Sequence, residues 1–231
     1  MSVVHTGARI PMAFTARVFA DRAAAGAALA RELQQHKLPP PVLILALPRG
    51  GVPVAHEIAR VLGTPLDVML VRKVGMPGQP ELAIGAVASG DIVVREAGLE
   101  RDFPGITAAF ERIATQERRE LQRREQVYRA GLAPLRLEGK SVVLVDDGLA
   151  TGSTMLAAVR AARAGRAARI IVAVPVGSPQ AAELLAPEAD QLVILQTPAV
   201  LFAIGEWYER FEQLEDEEVC RLLRLHRRDP P

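Results

Sequence analysis

Short runs of consecutive apolar residues recur along the chain, and longer segments with helical spacing separate them. The runs are Val42 to Leu47, Leu66 to Val71, Val142 to Val145, Arg169 to Val174 and Gln191 to Leu195. Val42 to Leu47 and Val142 to Val145 lack the polar alternation of a half-exposed strand, the latter predicting a parallel strand covered on both faces, and the other three read as further strands. Between them the spacing predicts helices: Arg22 to about His36 with Asp21 as N-cap, a segment with Val54, Ile58, Val61 and Leu62 on one face, Met155 to Ala164 closed by Gly165, and Pro179 to Leu185. This alternation implies a doubly wound α/β fold with a mostly parallel sheet and right-handed crossovers.

Two stretches depart from the alternation. Leu82 to Ala88 and Ile92 to Val94 predict a small hairpin turning at Ser89-Gly90, after a loop with Gly75, Pro77, Gly78 and Pro80. Ile106 to Arg129 predicts a long inserted helix rich in Glu and Arg, with Ala114, Leu121 and Tyr128 on one stripe. Its plain reading is a helix lying across the domain with an ion-paired outer face; its arginines also leave a dimer contact or a substrate-facing role open. Residues 212–228 read as a charged helix that packs through Val219, Leu222 and Leu223, while residues 1–18 carry little pattern. No linker divides the chain, so one domain is expected over 1–231, with a core at about 20–200 and an aromatic and helical segment at about 201–228.

Composition narrows the partners. The 28 basic and 27 acidic residues leave a formal charge of +1, which gives no electrostatic case for nucleic acid or an anionic membrane. Cys220 is the single cysteine, so an internal disulfide and a cysteine metal cluster are excluded and a reducing compartment is expected. The first twenty residues lack a signal-peptide core and no stretch is long enough to span a membrane, which points to a soluble cytoplasmic protein. His5, His36, His56 and His226 are scattered without zinc-ligand spacing.

Candidate chemistry concentrates at residues 142–154, where the apolar run meets Asp146 and Asp147 and then the loop Gly148-Leu149-Ala150-Thr151-Gly152-Ser153-Thr154. A strand end and a helix start meet there, and the helix start offers unpaired N–H groups to an anion. A bare phosphate would be repelled by the two carboxylates. A phosphorylated sugar suits both, its hydroxyls donating to the acids while its phosphate lies against the N–H groups and the hydroxyls of Thr151, Ser153 and Thr154. No lysine follows Gly152, so the nucleotide P-loop pattern fails. The loop Pro48-Arg49-Gly50-Gly51 after the first strand has the glycines and the guanidinium that a pyrophosphate needs, although by itself it reads first as a tight turn at a helix start. Arg72 and Lys73 are placed by the pattern at the carboxyl end of the strand from Leu66.

Residues 142–154, with their hydrophobics, acidic pair and Thr-Gly-Ser-Thr ending, resemble the phosphoribosyl pyrophosphate (PRPP) signature of type I phosphoribosyltransferases. Phe19-x-Asp21-Arg22, Pro48-Arg49-Gly50-Gly51 and Gly205-Glu206-Trp207-Tyr208 extend the resemblance over nearly the whole chain, closest to bacterial proteins of unassigned acceptor. It implies transfer of ribose 5-phosphate from PRPP to a nitrogen acceptor, such as a nucleobase, with release of pyrophosphate. Asp146 and Asp147 would be the catalytic acids holding the ribose hydroxyls. Gly148, Ala150, Thr151, Gly152, Ser153 and Thr154 would grip the 5-phosphate, and Arg49, Gly50, Gly51, Arg72 and Lys73 the pyrophosphate. Mg2+ would be held mainly by substrate and water near the acids, the hairpin would support a lid, and a homodimer is implied. Phe202 and Trp207 are the candidates for the acceptor pocket; aromatics that pin the C-terminal segment to the core are the other reading. Ala150 stands where purine members that use hypoxanthine or guanine carry a third acid, which leaves the general base unassigned; Glu81 and Glu206 are the nearest carboxylates to consider. A PRPP- or nucleotide-binding regulator without transfer activity is the alternative function, and an interaction module built on the Arg-rich helix is a third.

Overall fold

The computed structural model describes residues 18–96 and 98–226, with Pro80 and Glu81 described by backbone alone. Its strands are β1 (Val42–Ala46), β2 (Leu66–Val68), β3 (Val71–Met76), β4 (Gln79–Ala88), β5 (Ile92–Arg95), β6 (Ser141–Val145), β7 (Arg169–Val176) and β8 (Gln191–Gln196). Its helices are α1 (Arg22–Leu33), α2 (Gly51–Leu62), α3 (Leu99–Asp102), α4 (Ile106–Arg129), α5 (Ser153–Ala164), α6 (Pro179–Leu185) and α7 (Asp216–Arg224), with a 3-10 turn at Ile204–Trp207.

A five-stranded sheet runs β2-β1-β6-β7-β8 with every neighbouring pair parallel. The expected α/β fold with a central parallel sheet is therefore present. The lack of polar alternation has its predicted consequence, because successive residues of β6 feed opposite cores. Val143 and Val145 join α1, α2, α4 and α7 on one face, whereas Val142 and Leu144 join α5 and α6 on the other. The register then sets the functional edge. Ala46 pairs with Val145, and the Leu47 amide donates to the Val145 carbonyl at 2.8 Å, so the residues after β1 leave the sheet level with those after β6.

The run Leu66 to Val71 is not one strand. It breaks after Val68, and Arg72 and Lys73 lie inside β3, opposite Val87 and Ala86 of β4 in a separate antiparallel sheet of order β3-β4-β5. Ser89 fixes the break: its amide donates to the Leu70 carbonyl at 2.9 Å and its buried Oγ accepts from the Leu70 amide at 3.1 Å. A side chain thus takes the place of a ladder bond at the junction. The predicted hairpin is β4-β5, extended by β3.

Helix α4 spans the predicted residues and buries Ile106, Phe110, Ala114, Leu121 and Tyr128 along one stripe, packed on β3, β4 and α7. The Asp21 carboxylate caps α1 by accepting from the Ala24 amide at 2.8 Å. Three helices differ from the expectation at their ends. Helix α1 stops at Leu33, α5 begins at Ser153 under the left-handed Gly152, and α7 is confined to Asp216–Arg224, although Val219, Leu222 and Leu223 are its buried residues. Residues 1–17, 227 and 228 lie outside the described residues. Among the described residues no helix is long and apolar enough to cross a membrane.

At the end of α4 the Arg129 guanidinium donates to both oxygens of Asp67 in β2, at 2.9 and 3.0 Å, with both side chains largely buried. Breaking such a pair strands a charge. Arg129→Ala is expected to lower the free energy of unfolding by about 3 kcal/mol, measured by urea denaturation.

Candidate active site

Strand β6 delivers Asp146 and Asp147 into a crowded junction. Asp147 Oδ2 accepts from Arg22 Nε of α1 at 2.8 Å, and Asp146 Oδ1 accepts from the Asp147 amide at 2.9 Å. The loop after β1 presses on the same carboxylate: a Cβ added to Gly50 would sit 2.0 Å from Asp147 Oδ2, and one added to Gly51 would sit 2.5 Å from the Val145 carbonyl oxygen. Only glycine fits this contact. From the third side, the Tyr208 hydroxyl donates to the Asp147 carbonyl at 2.6 Å. Tyr208 stacks on Phe211, and the Arg22 guanidinium lies 3.8 Å above the Phe211 ring.

The following loop is held by β7 and α6. The Leu149 amide donates to the Val176 carbonyl at 2.9 Å, and Ser178 Oγ donates to the Ala150 carbonyl at 2.6 Å. Gly148 packs so closely under Ile204 that a Cβ there would meet it at 2.6 Å. Gly152, with φ of +73°, turns the chain into α5, whose start has no side-chain cap. Thr151 Oγ1 and Ser153 Oγ lie 3.2 Å apart beside that start, so hydroxyls and helix N–H groups face the same space.

Arg72 and Lys73 reach this space from the other sheet. With Thr154, Gly78 and Glu117 they line a cleft of about 730 Å³, and Arg72 forms an ion pair with Glu117. A smaller cavity of about 60 Å³ lies between Pro48, Arg72, Thr154 and Arg124 of α4. Arg49 stands apart from these two, in a polar cavity of about 210 Å³ with Arg123, Arg124, Tyr128 and Asp216, its Nη1 3.9 Å from Asp216. Phe202 is 85% exposed, and Glu206 is exposed as well. Trp207 is half-buried, its carbonyl accepting from the Phe19 amide at 2.8 Å. The Glu81 side chain lies outside the described residues.

Residues 19–215 match the model of the phosphoribosyl transferase domain. The chain belongs to the phosphoribosyl transferase family. It is 43% identical over 212 residues to a protein named "Putative phosphoribosyl transferase" in each of two strains of Mycobacterium tuberculosis, covering 91% of this chain and 48% of those proteins. The chain thus spans about half the length of these curated relatives. A crystal structure of a protein from Thermus thermophilus is 44% identical, with a TM-score of 0.83 over 90% of this chain and 98% of that one.

In this family member three residues join the site that spacing along the chain did not single out. Arg22 meets Asp147 from 125 residues away, Tyr208 meets it from 61, and Arg124 lies on a helix whose other arginines look the same in sequence. Phe19-x-Asp21-Arg22 and Gly205-Glu206-Trp207-Tyr208, both part of the family resemblance, contain Arg22 and Tyr208 but gave neither a role.

The acidic pair is electrostatically uncomfortable. Burial, then the charge of Asp147, pushes the Asp146 carboxyl well above the ordinary 3.8, and burial raises Asp147 also, partly offset by Arg22. Both raised values mean that the folded state holds protons the unfolded chain has released. The stability these groups contribute is therefore full below about pH 4 and is lost as pH rises through their folded values. Asp146→Asn keeps an oxygen for the Asp147 amide and removes one charge. It is expected to be more stable than wild type by about 1 to 2 kcal/mol at pH 7, with the gap shrinking toward pH 4, as thermal unfolding across that range will show.

Proposed function

We propose that the chain is an enzyme that transfers ribose 5-phosphate from PRPP to a nitrogen acceptor. The observation that carries this is the acidic pair clamped between two anion-suited loops, the glycine loop after β1 on one side and the hydroxyl-rich loop before α5 on the other. Asp146 and Asp147 would accept hydrogen bonds from the ribose hydroxyls. Their negative charge would stabilise the positive charge that develops on the sugar as the bond from the anomeric carbon to pyrophosphate breaks and the bond to nitrogen forms. Thr151, Ser153, Thr154 and the first N–H groups of α5 would hold the 5-phosphate. The backbone of Gly50 and Gly51, with Arg49, Arg72 and Lys73, would hold the departing pyrophosphate. The acceptor would approach from the side of residues 202–207, where the exposed Phe202 ring is free to stack on a flat heterocycle.

Mg2+ suits these residues. One guanidinium offsets two crowded carboxylates, so a cation is welcome there. The ion would be ligated mostly by substrate oxygens and water beside Asp146 and Asp147. When bound it would neutralise phosphate charge. The reading treats the chain as one domain, because the β1-α2 loop, α4 and α7 wall one cavity while α4, β3 and α5 share another.

With PRPP, Mg2+ and a panel of purines, pyrimidines and other nitrogen acceptors, pyrophosphate release is expected from wild type. Asp146→Asn and Asp147→Asn are each expected to lower kcat/KM by roughly 100-fold or more. PRPP binding without release across the panel would instead identify a regulator, and the absence of PRPP binding would defeat both readings.

A further inference from the structure

Helix α4 brings a cation to the phosphate side of the site. Arg124 lines both the cavity that holds Pro48, Arg72 and Thr154 and the cavity that holds Arg49. It is the one residue shared by those two linings, so it stands where they adjoin. Around the second cavity three guanidiniums, from Arg49, Arg123 and Arg124, face the single carboxylate of Asp216. Asp216 is itself engaged by the Tyr128 hydroxyl and lies 3.9 Å from Arg49. Arg123 and Arg124 share one further acid, since both donate to the Glu120 carboxylate, at 2.8 to 3.2 Å. Positive charge therefore exceeds negative charge where α4, α7 and the β1-α2 loop converge. Arg123 and Arg124 are exposed on one side and line this cavity on the other, and of the three arginines only Arg124 also lines the cavity that holds Thr154.

We propose that Arg124 is a binding residue for the donor's pyrophosphate, receiving its outer phosphate between its own guanidinium and that of Arg49 while the inner phosphate lies at Gly50, Gly51 and Arg72. This rests on the PRPP reading above. The planar fork of arginine suits two oxygens of one phosphate, and a lysine would supply only a point charge.

Calorimetric titration of the purified chain in Mg2+ with inorganic pyrophosphate, PRPP and ribose 5-phosphate tests it. Arg124→Ala should weaken pyrophosphate and PRPP by about tenfold or more and ribose 5-phosphate by less than about twofold, with Arg124→Lys between wild type and alanine. Arg119→Ala, which removes an exposed charge of the same helix outside both cavities, should stay within about twofold of wild type for all three ligands. Unchanged pyrophosphate binding in Arg124→Ala overturns the proposal. So does an equal loss in Arg119→Ala, which would mark a diffuse charge effect, or an equal loss of ribose 5-phosphate in Arg124→Ala, which would mark a structural one. If wild type binds neither PRPP nor pyrophosphate, the transferase reading falls together with it.

Discussion

Asp147 is clasped on its carboxylate by Arg22 and by the backbone of Gly50, and on its carbonyl by Tyr208. These contacts come from α1, from the loop after β1 and from the segment after β8, three parts of the chain that have no local reason to meet. The parallel register of β1 with β6 brings the first two together, because both strands end at the same level and their exits collide unless one of them is glycine. A charge buried this way is tolerated only because it is hydrogen-bonded and paired. The remaining cost is the burial and mutual repulsion of two neighbouring acids.

The cations of β3 stand on a different sheet from the acids and the two anion-suited loops. The acids and the hydroxyl loop belong to the parallel sheet, while Arg72 and Lys73 belong to the antiparallel one. On the β2 to β3 side Met69 and Leu70 join the two sheets, with Ser89 pinning the bend through its amide and hydroxyl. Helices α4 and α5 pack against the antiparallel sheet as well, so it is braced on the large sheet's own helices and does not hang free. The distance from Thr154 to the cations of β3 is thereby a property of helix packing more than of loop conformation.

Much of this was legible in sequence because local patterns encode it. Unalternated apolar runs identified the strands of the parallel sheet, and the seven-residue stripe of α4 identified its buried face. The motif at 142–154 and the glycine pair at 50 and 51 marked their loops before any geometry was known. The failures have a common origin in tertiary contact. Nothing in Leu66 to Val71 shows that Ser89 will interrupt the run, and Arg22 resembles any helix-start arginine until Asp147 is placed beside it. Among the aromatics near the end, exposure and burial divided Phe202 from Tyr208, and both lie in one aromatic-rich stretch of sequence.

The Phe19 amide bonds to the Trp207 carbonyl at 2.8 Å and the Glu209 amide to the Phe19 carbonyl at 2.8 Å, so a strand-like clip joins the segment before α1 to the segment after the 3-10 turn. The ring of Phe19 leans on Tyr208, and Arg22 lies over Phe211 in the same seam. The segment after β8 in an architecture of this kind cannot be exchanged as a cassette. A tail grafted from a relative would arrive without its own clip, and the mismatch would be felt first at the Asp147 carbonyl, which accepts from Tyr208. The tail and residues 19–22 are therefore one packing unit, two stretches nearly two hundred residues apart in which a change on one side is felt on the other.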